Sequence, residues 1–196
     1  MKKIIASLIL LGAINTVNAQ FITNFSYSMG FPTGDFSNYI SDPSFRGFSF
    51  GYAKFIKPNV TLGVNLGWNV FYEEKEYDTY NQGTASLTGK QFRTNNTAPI
   101  IGNVNYYFKQ SDKLNTYGGM GLGLVYNRRN TDMYVYTLEE TSWNFALQPE
   151  IGIEFKTDRN WAITAAAKYY YCFESGDIQE PISYFGLNLG FSYFGR

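Results

Sequence analysis

The chain has 196 residues, 44% hydrophobic and 19% aromatic, with no formal net charge, no histidine and one cysteine. Charged side chains make up 16%, against roughly 25% in ordinary soluble domains, so the usual charged coat is missing and nothing favours nucleic acid. Lack of His removes the commonest general base and the imidazole ligands of zinc, and a lone Cys172 can build neither an internal disulfide nor a thiolate site.

Taken in chain order, the first feature is a leader. Met1-Lys2-Lys3 is a basic start, Ile4 to Ala13 is an apolar run, and Val17-Asn18-Ala19 supplies a cleavage-like end. That run is shorter than the about 20 residues a membrane helix needs. Residues 1–19 are therefore expected to be a secretory signal that is cut off, leaving Gln20 first and a single domain over 20–196. Loss of Lys2 and Lys3 takes the formal charge to about −2. No cysteine follows the cut to carry a lipid.

From there the chain alternates with period two, which places large and small side chains on opposite faces of a strand. Phe21, Phe25, Tyr27 and Met29 oppose Asn24, Ser26 and Ser28. Phe48, Phe50, Tyr52 and Ile56 oppose Gly47, Ser49, Gly51 and Ala53. In the third run Val60, Leu62, Val64, Leu66, Trp68 and Val70 oppose Thr61, Gly63, Asn65, Gly67 and Asn69. Ile100, Val104, Tyr106 and Phe108 oppose Asn103 and Asn105.

The fifth run, YGGMGLGLVY from Tyr117 to Tyr126, looks at first like a phosphate-binding loop. A dinucleotide fingerprint needs G-x-G-x-x-G opening a helix. Counted from Gly119 and Gly121 the third glycine would fall at Leu124, and no helical pattern follows. Met120, Leu122, Leu124 and Tyr126 instead share one strand face, with Gly119, Gly121 and Gly123 on the other. Three more runs follow, over Trp143–Phe155, Trp161–Tyr171 and Tyr184–Tyr193, which brings the strands to eight.

The connections alternate as well. Lys57-Pro58-Asn59, Lys109 to Asn115 and Lys156 to Asn160 read as short polar turns. Phe31 to Ser44, Glu73 to Lys90, Arg128 to Glu140 and Phe173 to Pro181 read as long loops. The expected fold is all-β: an eight-stranded antiparallel up-and-down transmembrane β-barrel with short periplasmic turns, long outer loops and both termini periplasmic. A soluble barrel would need a Lys- and Glu-rich outer face. Here the non-greasy face is Gly, Asn, Ser, Ala and Thr, which suits a narrow bore.

The leader, the eight alternating strands and the closing GLNLGFSYF of Gly186–Phe194 resemble the small outer-membrane β-barrel proteins of Gram-negative bacteria, the OmpX and OmpA-membrane-domain type. The resemblance is architectural and spans the mature chain. It implies outer-membrane lipid and lipopolysaccharide as surroundings, and the barrel assembly machinery as a partner during insertion. Such proteins usually end on an aromatic residue; here Gly195-Arg196 follow Phe194. The wall-binding domain of full-length members is not expected.

Candidate site residues are few. Glu150 and Glu154 share the inward parity, and Lys168 does so on the next strand, opposite Gln148 and diagonal to Glu150 if the turn spans 156–160. They form a candidate lumen ion pair or acid pair. Trp68, Trp143, Trp161, Phe155 and Tyr193 are candidates for the interfacial aromatic girdle. The acidic run Glu73, Glu74, Glu76 and Asp78 lacks the spacing of a calcium loop. Arg128-Arg129 could meet lipopolysaccharide phosphates, and Tyr77, Tyr80, Tyr134 and Tyr136 could make a contact surface. No cofactor, metal or catalytic residue is expected. The leading expectation is a non-enzymatic structural or interaction protein, as an accessory subunit of a larger outer-membrane complex; the alternative is a narrow channel or transporter for a small or hydrophobic solute.

Overall fold

The computed structural model describes residues 20–82, 85–134 and 136–195, and for 81–87 no side chains. The expected signal, 1–19, lies outside the described residues. The chain forms β1 (Phe21–Thr33), a short helix α1 (Gly34–Tyr39), β2 (Gly47–Lys57), β3 (Val60–Gln82), β4 (Ala85–Gln110), β5 (Leu114–Met133), β6 (Tyr136–Lys156), β7 (Trp161–Cys172) and β8 (Ile182–Gly195). Each strand pairs antiparallel with the next, and β8 closes on β1 from Phe21↔Gly195 to Thr33↔Ser183. The fold is the eight-stranded antiparallel barrel expected from the alternation. Both described ends lie at the end of the barrel that carries the three short turns.

The two faces divide by size. Leu62, Leu66, Ile100, Leu122, Phe145, Ile151, Ile163 and Leu189 are each more than 40% exposed on the outer wall. Ser26, Ser49, Asn103, Gln148, Thr164, Asn188 and Ser192 are buried inside. Water would not tolerate so continuous an apolar belt. Hydrocarbon favours it, and ring closure leaves no sheet edge to desolvate.

The β5 glycines serve the neighbours rather than the backbone. A Cβ at Gly119 would collide with the Asn105 side chain, one at Gly121 with Ile101, and one at Gly123 with the backbone of Ile100 and Ile101. Two mid-strand prolines each interrupt one ladder, as the missing N–H requires. Pro99 pairs with Val125 of β5, but β3–β4 pairing skips from Leu66↔Ile100 to Asn69↔Thr97. Pro149 pairs with Met120, while β6–β7 pairing skips from Leu147↔Tyr171 to Glu150↔Lys168.

The long segments differ from expectation. Glu73–Lys90 and Arg128–Glu140 are mostly strand, with pairs such as Glu73↔Arg93, Thr79↔Thr88 and Arg128↔Thr141. Above the membrane both faces of a ribbon meet water, so the pairing continues while the hydrophobic alternation that signals it disappears. Phe31–Thr33 extends β1, and the rest of that segment holds α1. The four strands β3 to β6 thus rise as one sheet beyond the rim. β2 begins only opposite Asn69, and β7 ends opposite Ala146, so this sheet has two lateral edges.

The faces can be checked by folding into lipid vesicles in urea. Leu122→Arg should cost about 2–4 kcal/mol, the range for a basic side chain at mid-bilayer. Gly121→Leu should cost about 1–3 kcal/mol through overpacking of Ile101 and Gln148. Equal tolerance of both would show the faces to be inverted.

Candidate functional site

The bore is filled in layers. Nearest the short turns, Tyr107 packs between Tyr117 and Phe55 with ring centroids 5.3 Å apart in each pair, and Ile22, Ala162 and Phe194 complete the layer. At the other end α1 and the residue that caps it lower Phe36 and Ile40 into the mouth, both fully buried. Phe36 meets Phe71 edge-on at 5.1 Å, Phe71 meets Tyr184 at 5.2 Å, and Tyr184 stacks on Tyr170 at 4.5 Å. Ile101, Val125, Ile178 and Ile182 close this cluster. The sequence reading foresaw small residues in the bore and missed these large ones. Phe36 lay in a presumed loop, and Phe71 and Tyr72 alternate like any other aromatic pair.

Between the two layers lies a polar one around a cavity of about 50 Å³. Lys168 Nζ stands 3.5 Å from Glu150 Oε2, with both side chains buried. Asn103 Nδ2 donates to Glu150 Oε1 at 3.2 Å, and Gln148 Nε2 to Oε2 at 2.7 Å. Glu154 is held apart from this pair. It accepts from Tyr107 Oη and Asn115 Nδ2, each at 3.1 Å. The register also differs from expectation: Lys168 lies directly across from Glu150 rather than diagonal to it. The turn is centred one residue later, since Lys156 pairs with Ala162, and each such shift moves the register by two.

The candidate aromatic girdle falls into two groups. Trp161 and Tyr193 are cross-strand partners with centroids 5.1 Å apart, and Phe155 on β6 lies beside them near the short-turn end. Toward the other end Trp143 packs on its partner Tyr126 at 5.2 Å, and Trp68 pairs with Phe48. All three tryptophans and Phe155 are at least 40% exposed on the outer wall.

Above the plug, side chains latch α1 and its following loop to the raised sheet. Glu73 accepts from Ser41 N and Ser41 Oγ, both at 2.8 Å, and from Lys75 at 2.7 Å. Burial pushes the Glu73 carboxyl up, but these bonds outweigh it and hold it below its ordinary value. Arg93 Nη1 donates to Tyr39 O at 2.8 Å. Tyr39 is half-buried, and that burial raises its phenol against the pull of Thr131, Arg129 and Arg93. The acidic run is thus dispersed: Glu73 holds the latch and Glu74 accepts from Lys90 at 2.5 Å. Among the described residues no group of three acidic, Cys or His side chains is placed to hold a metal. Arg128 and Arg129 part company, because neighbours in a strand face opposite sides. Arg128 turns outward to Glu139 at 2.7 Å, while Arg129 turns into the mouth.

No protein-family model and no curated protein matches the chain. Solved structures do. The outer membrane protein OprG of Pseudomonas aeruginosa is similar over 91% of this chain and 96% of its own, with a TM-score of 0.57 at 11% identity. Ail, the attachment invasion locus protein of Yersinia pestis, matches 91% of this chain and all of its own, with a TM-score of 0.55 at 12% identity. The outer membrane protease OmpT of Escherichia coli matches 93% of this chain at a TM-score of 0.54 and 7% identity. Identities this low carry the fold and leave the chemistry to this chain's own residues.

Two outcomes follow from the geometry. Lys168→Met leaves Glu150 as a buried unpaired charge and should cost about 3–5 kcal/mol, with much of it recovered in Glu150→Gln/Lys168→Met; urea unfolding in vesicles reads both. The Glu73 carboxyl lies lower folded than unfolded, so the latch contributes its stability above the unfolded value and loses it as pH falls through the folded one. The Ser41 amide resonance should titrate below the ordinary glutamate range, and Glu73→Gln should abolish that titration.

Proposed function

We propose that this chain is a non-enzymatic protein of a Gram-negative outer membrane, and that its raised sheet is an interaction device that accepts an extended segment of a partner protein. The observation that carries the reading is the free edge of β6. Phe145 O accepts from Phe173 N, and Thr141 N reaches Asp177 Oδ2, so odd-numbered residues of β6 aim their backbone groups away from β5. Pairing with β7 stops at Ala146. Among the described residues the outward backbone groups of Thr137, Glu139 and Trp143 meet no partner. Such an edge is a template for strand addition.

The two edges are unlike. The β3 edge carries Glu74, Lys75, Glu76 and Asp78, a charged guard against pairing. The β6 edge presents Tyr136 and Leu138, exposed by 64% and 42%, with Tyr134 at the tip exposed by 96%. Asp177 lies alongside, its Oδ2 accepting from Thr141 N at 3.4 Å, which favours a partner segment with a basic residue. An accessory role in a larger outer-membrane complex fits this arrangement. Lipid and lipopolysaccharide would surround the belt, the short turns and termini would face the periplasm, and the barrel assembly machinery would act only during insertion.

The absence of His supports the non-enzymatic reading, as does the engagement of Glu150 and Glu154 in buried hydrogen bonds. Conduction is the poorer fit, because aromatic layers fill the bore on both sides of its small cavity.

Glu139→Pro removes one outward N–H from the edge without touching the ladder to β5. Affinity purification from gently solubilised envelopes should recover a stoichiometric partner with the wild-type barrel and lose most of it with Glu139→Pro. Recovery of the wild-type barrel alone would refute the interaction reading, and a steady single-channel conductance in planar bilayers would replace it with the channel.

A further inference from the structure

The outer mouth holds a second cavity, of about 390 Å³, walled by α1 and the raised sheet. Its lining includes Tyr39, Tyr80, Arg93, Arg129, Glu140 and Glu180. The Arg129 side chain is only 8% exposed; its Nε and Nη2 are closed off and have no hydrogen-bond acceptor, which leaves Nη1 as the nitrogen open to the cavity. A guanidinium keeps its charge even where burial lowers its basicity, as it does here. A buried cation with unmet donors is costly.

The carboxylates nearby do not relieve it. Glu140 Oε2 and Glu180 Oε2 stand 4.0 and 3.9 Å from Arg129 Nη1, both beyond hydrogen-bond distance. Arg93 has no carboxylate partner among the described residues; it donates to Gln91 Oε1 at 2.6 Å and to the carbonyl of Tyr39. The Tyr39 ring lies under both cations, 4.0 Å from the Arg129 guanidinium carbon and 5.0 Å from that of Arg93. This ring fixes the pair at one side of the cavity. Two cations therefore border a space in which neither has an anionic hydrogen-bond partner, Arg129 through its Nη1.

We propose that this cavity binds a small zwitterion of the α-amino acid class, its carboxylate taken by Arg129 and Arg93 and its ammonium by Glu180 and Glu140. A carboxylate is the anionic acceptor that Arg129 Nη1 and the Arg93 guanidinium lack. The lining carries both signs, which disfavours a polyanion and leaves an acceptor for an amine. Its volume is in the range of small-ligand sites. Tyr39 and Tyr80 supply apolar surface for a short side chain. The site is independent of the β6 edge, so either can fail alone.

The test uses the full mature chain in lipid nanodiscs, with arginine Nε–Hε resonances read against titrated L-alanine, lactate, ethanolamine and inorganic phosphate. L-alanine should shift the Arg129 and Arg93 signals saturably. Lactate should bind more weakly and ethanolamine not at all. Arg129→Lys should weaken L-alanine by about tenfold or more, since the ammonium stops short of the Nη1 position while the charge stays. Glu180→Gln should bring L-alanine down toward lactate. Folding of each variant is confirmed by its heat-modifiable migration in gels, and Arg93→Lys replaces Arg129→Lys should the latter not fold. Absence of a saturable shift with L-alanine, an unchanged affinity in the lysine variant, or phosphate binding as tightly as L-alanine would each overturn the proposal.

Discussion

In hydrocarbon an unpaired backbone N–H or C=O has no water to turn to, so a strand there must have a hydrogen-bonded neighbour on each side. β8 meets this demand by returning to β1 over thirteen consecutive pairs. Closure with only eight strands leaves a bore just wide enough for side chains. Most of what distinguishes this sequence follows from that narrow space. Inward positions must be small or must interlock, and polar side chains there hydrogen-bond across the bore, as Asn103 does to Glu150 and Asn188 to Ser49. The β5 glycines exist because Asn105 and Ile101 need the volume beside them. Even the prolines obey the rule: both keep full pairing toward β5 and break a single ladder each.

Within the bore, polarity is confined to the middle. Glu150 and Lys168 neutralise each other, and amide side chains from β4 and β6 satisfy the carboxylate. Aromatic layers then separate this network from both mouths. A low dielectric strengthens the network and raises the cost of any member left alone. The layering therefore explains stability and occlusion by one cause. Charge is tolerated in the interior because it is sealed, and the seal is what makes the bore a poor conduit.

The barrel was legible in the sequence because its outer and inner faces meet opposite environments, and a period of two records that contrast. Where the contrast ends, so does the signal. Tyr136 to Thr141 is as fully strand as Trp143 to Gln148, yet water lies on both of its faces and no alternation marks it. The same loss hid the split between Arg128 and Arg129, which follows at once when the segment is read as strand. The Glu150–Lys168 pairing was approached through parity and missed by two residues, because turn length rather than hydrophobicity sets register there. The plug was out of reach. Phe36 belongs to a helix of six residues, too short to show a period, and Ile40 follows its last residue.

The membrane thus divides the molecule by how much freedom physics leaves it. Below the rim each residue answers to lipid, to the bore or to a ladder. In the bore the unused groups are amide oxygens such as Asn103 Oδ1 and Gln148 Oε1; above the rim, where the sheet is under no such demand, they are the β6 backbone at its edge and the guanidinium of Arg129 in its mouth. Chance exposure does not account for both, since the opposite edge is guarded by charge and Arg128, one residue away from Arg129, is paired. An unused donor that is buried or ordered costs free energy in the isolated chain. Its retention is reasonable where a second molecule completes it, and the two proposals assign different molecules: an extended backbone at the edge, a small carboxylate in the mouth.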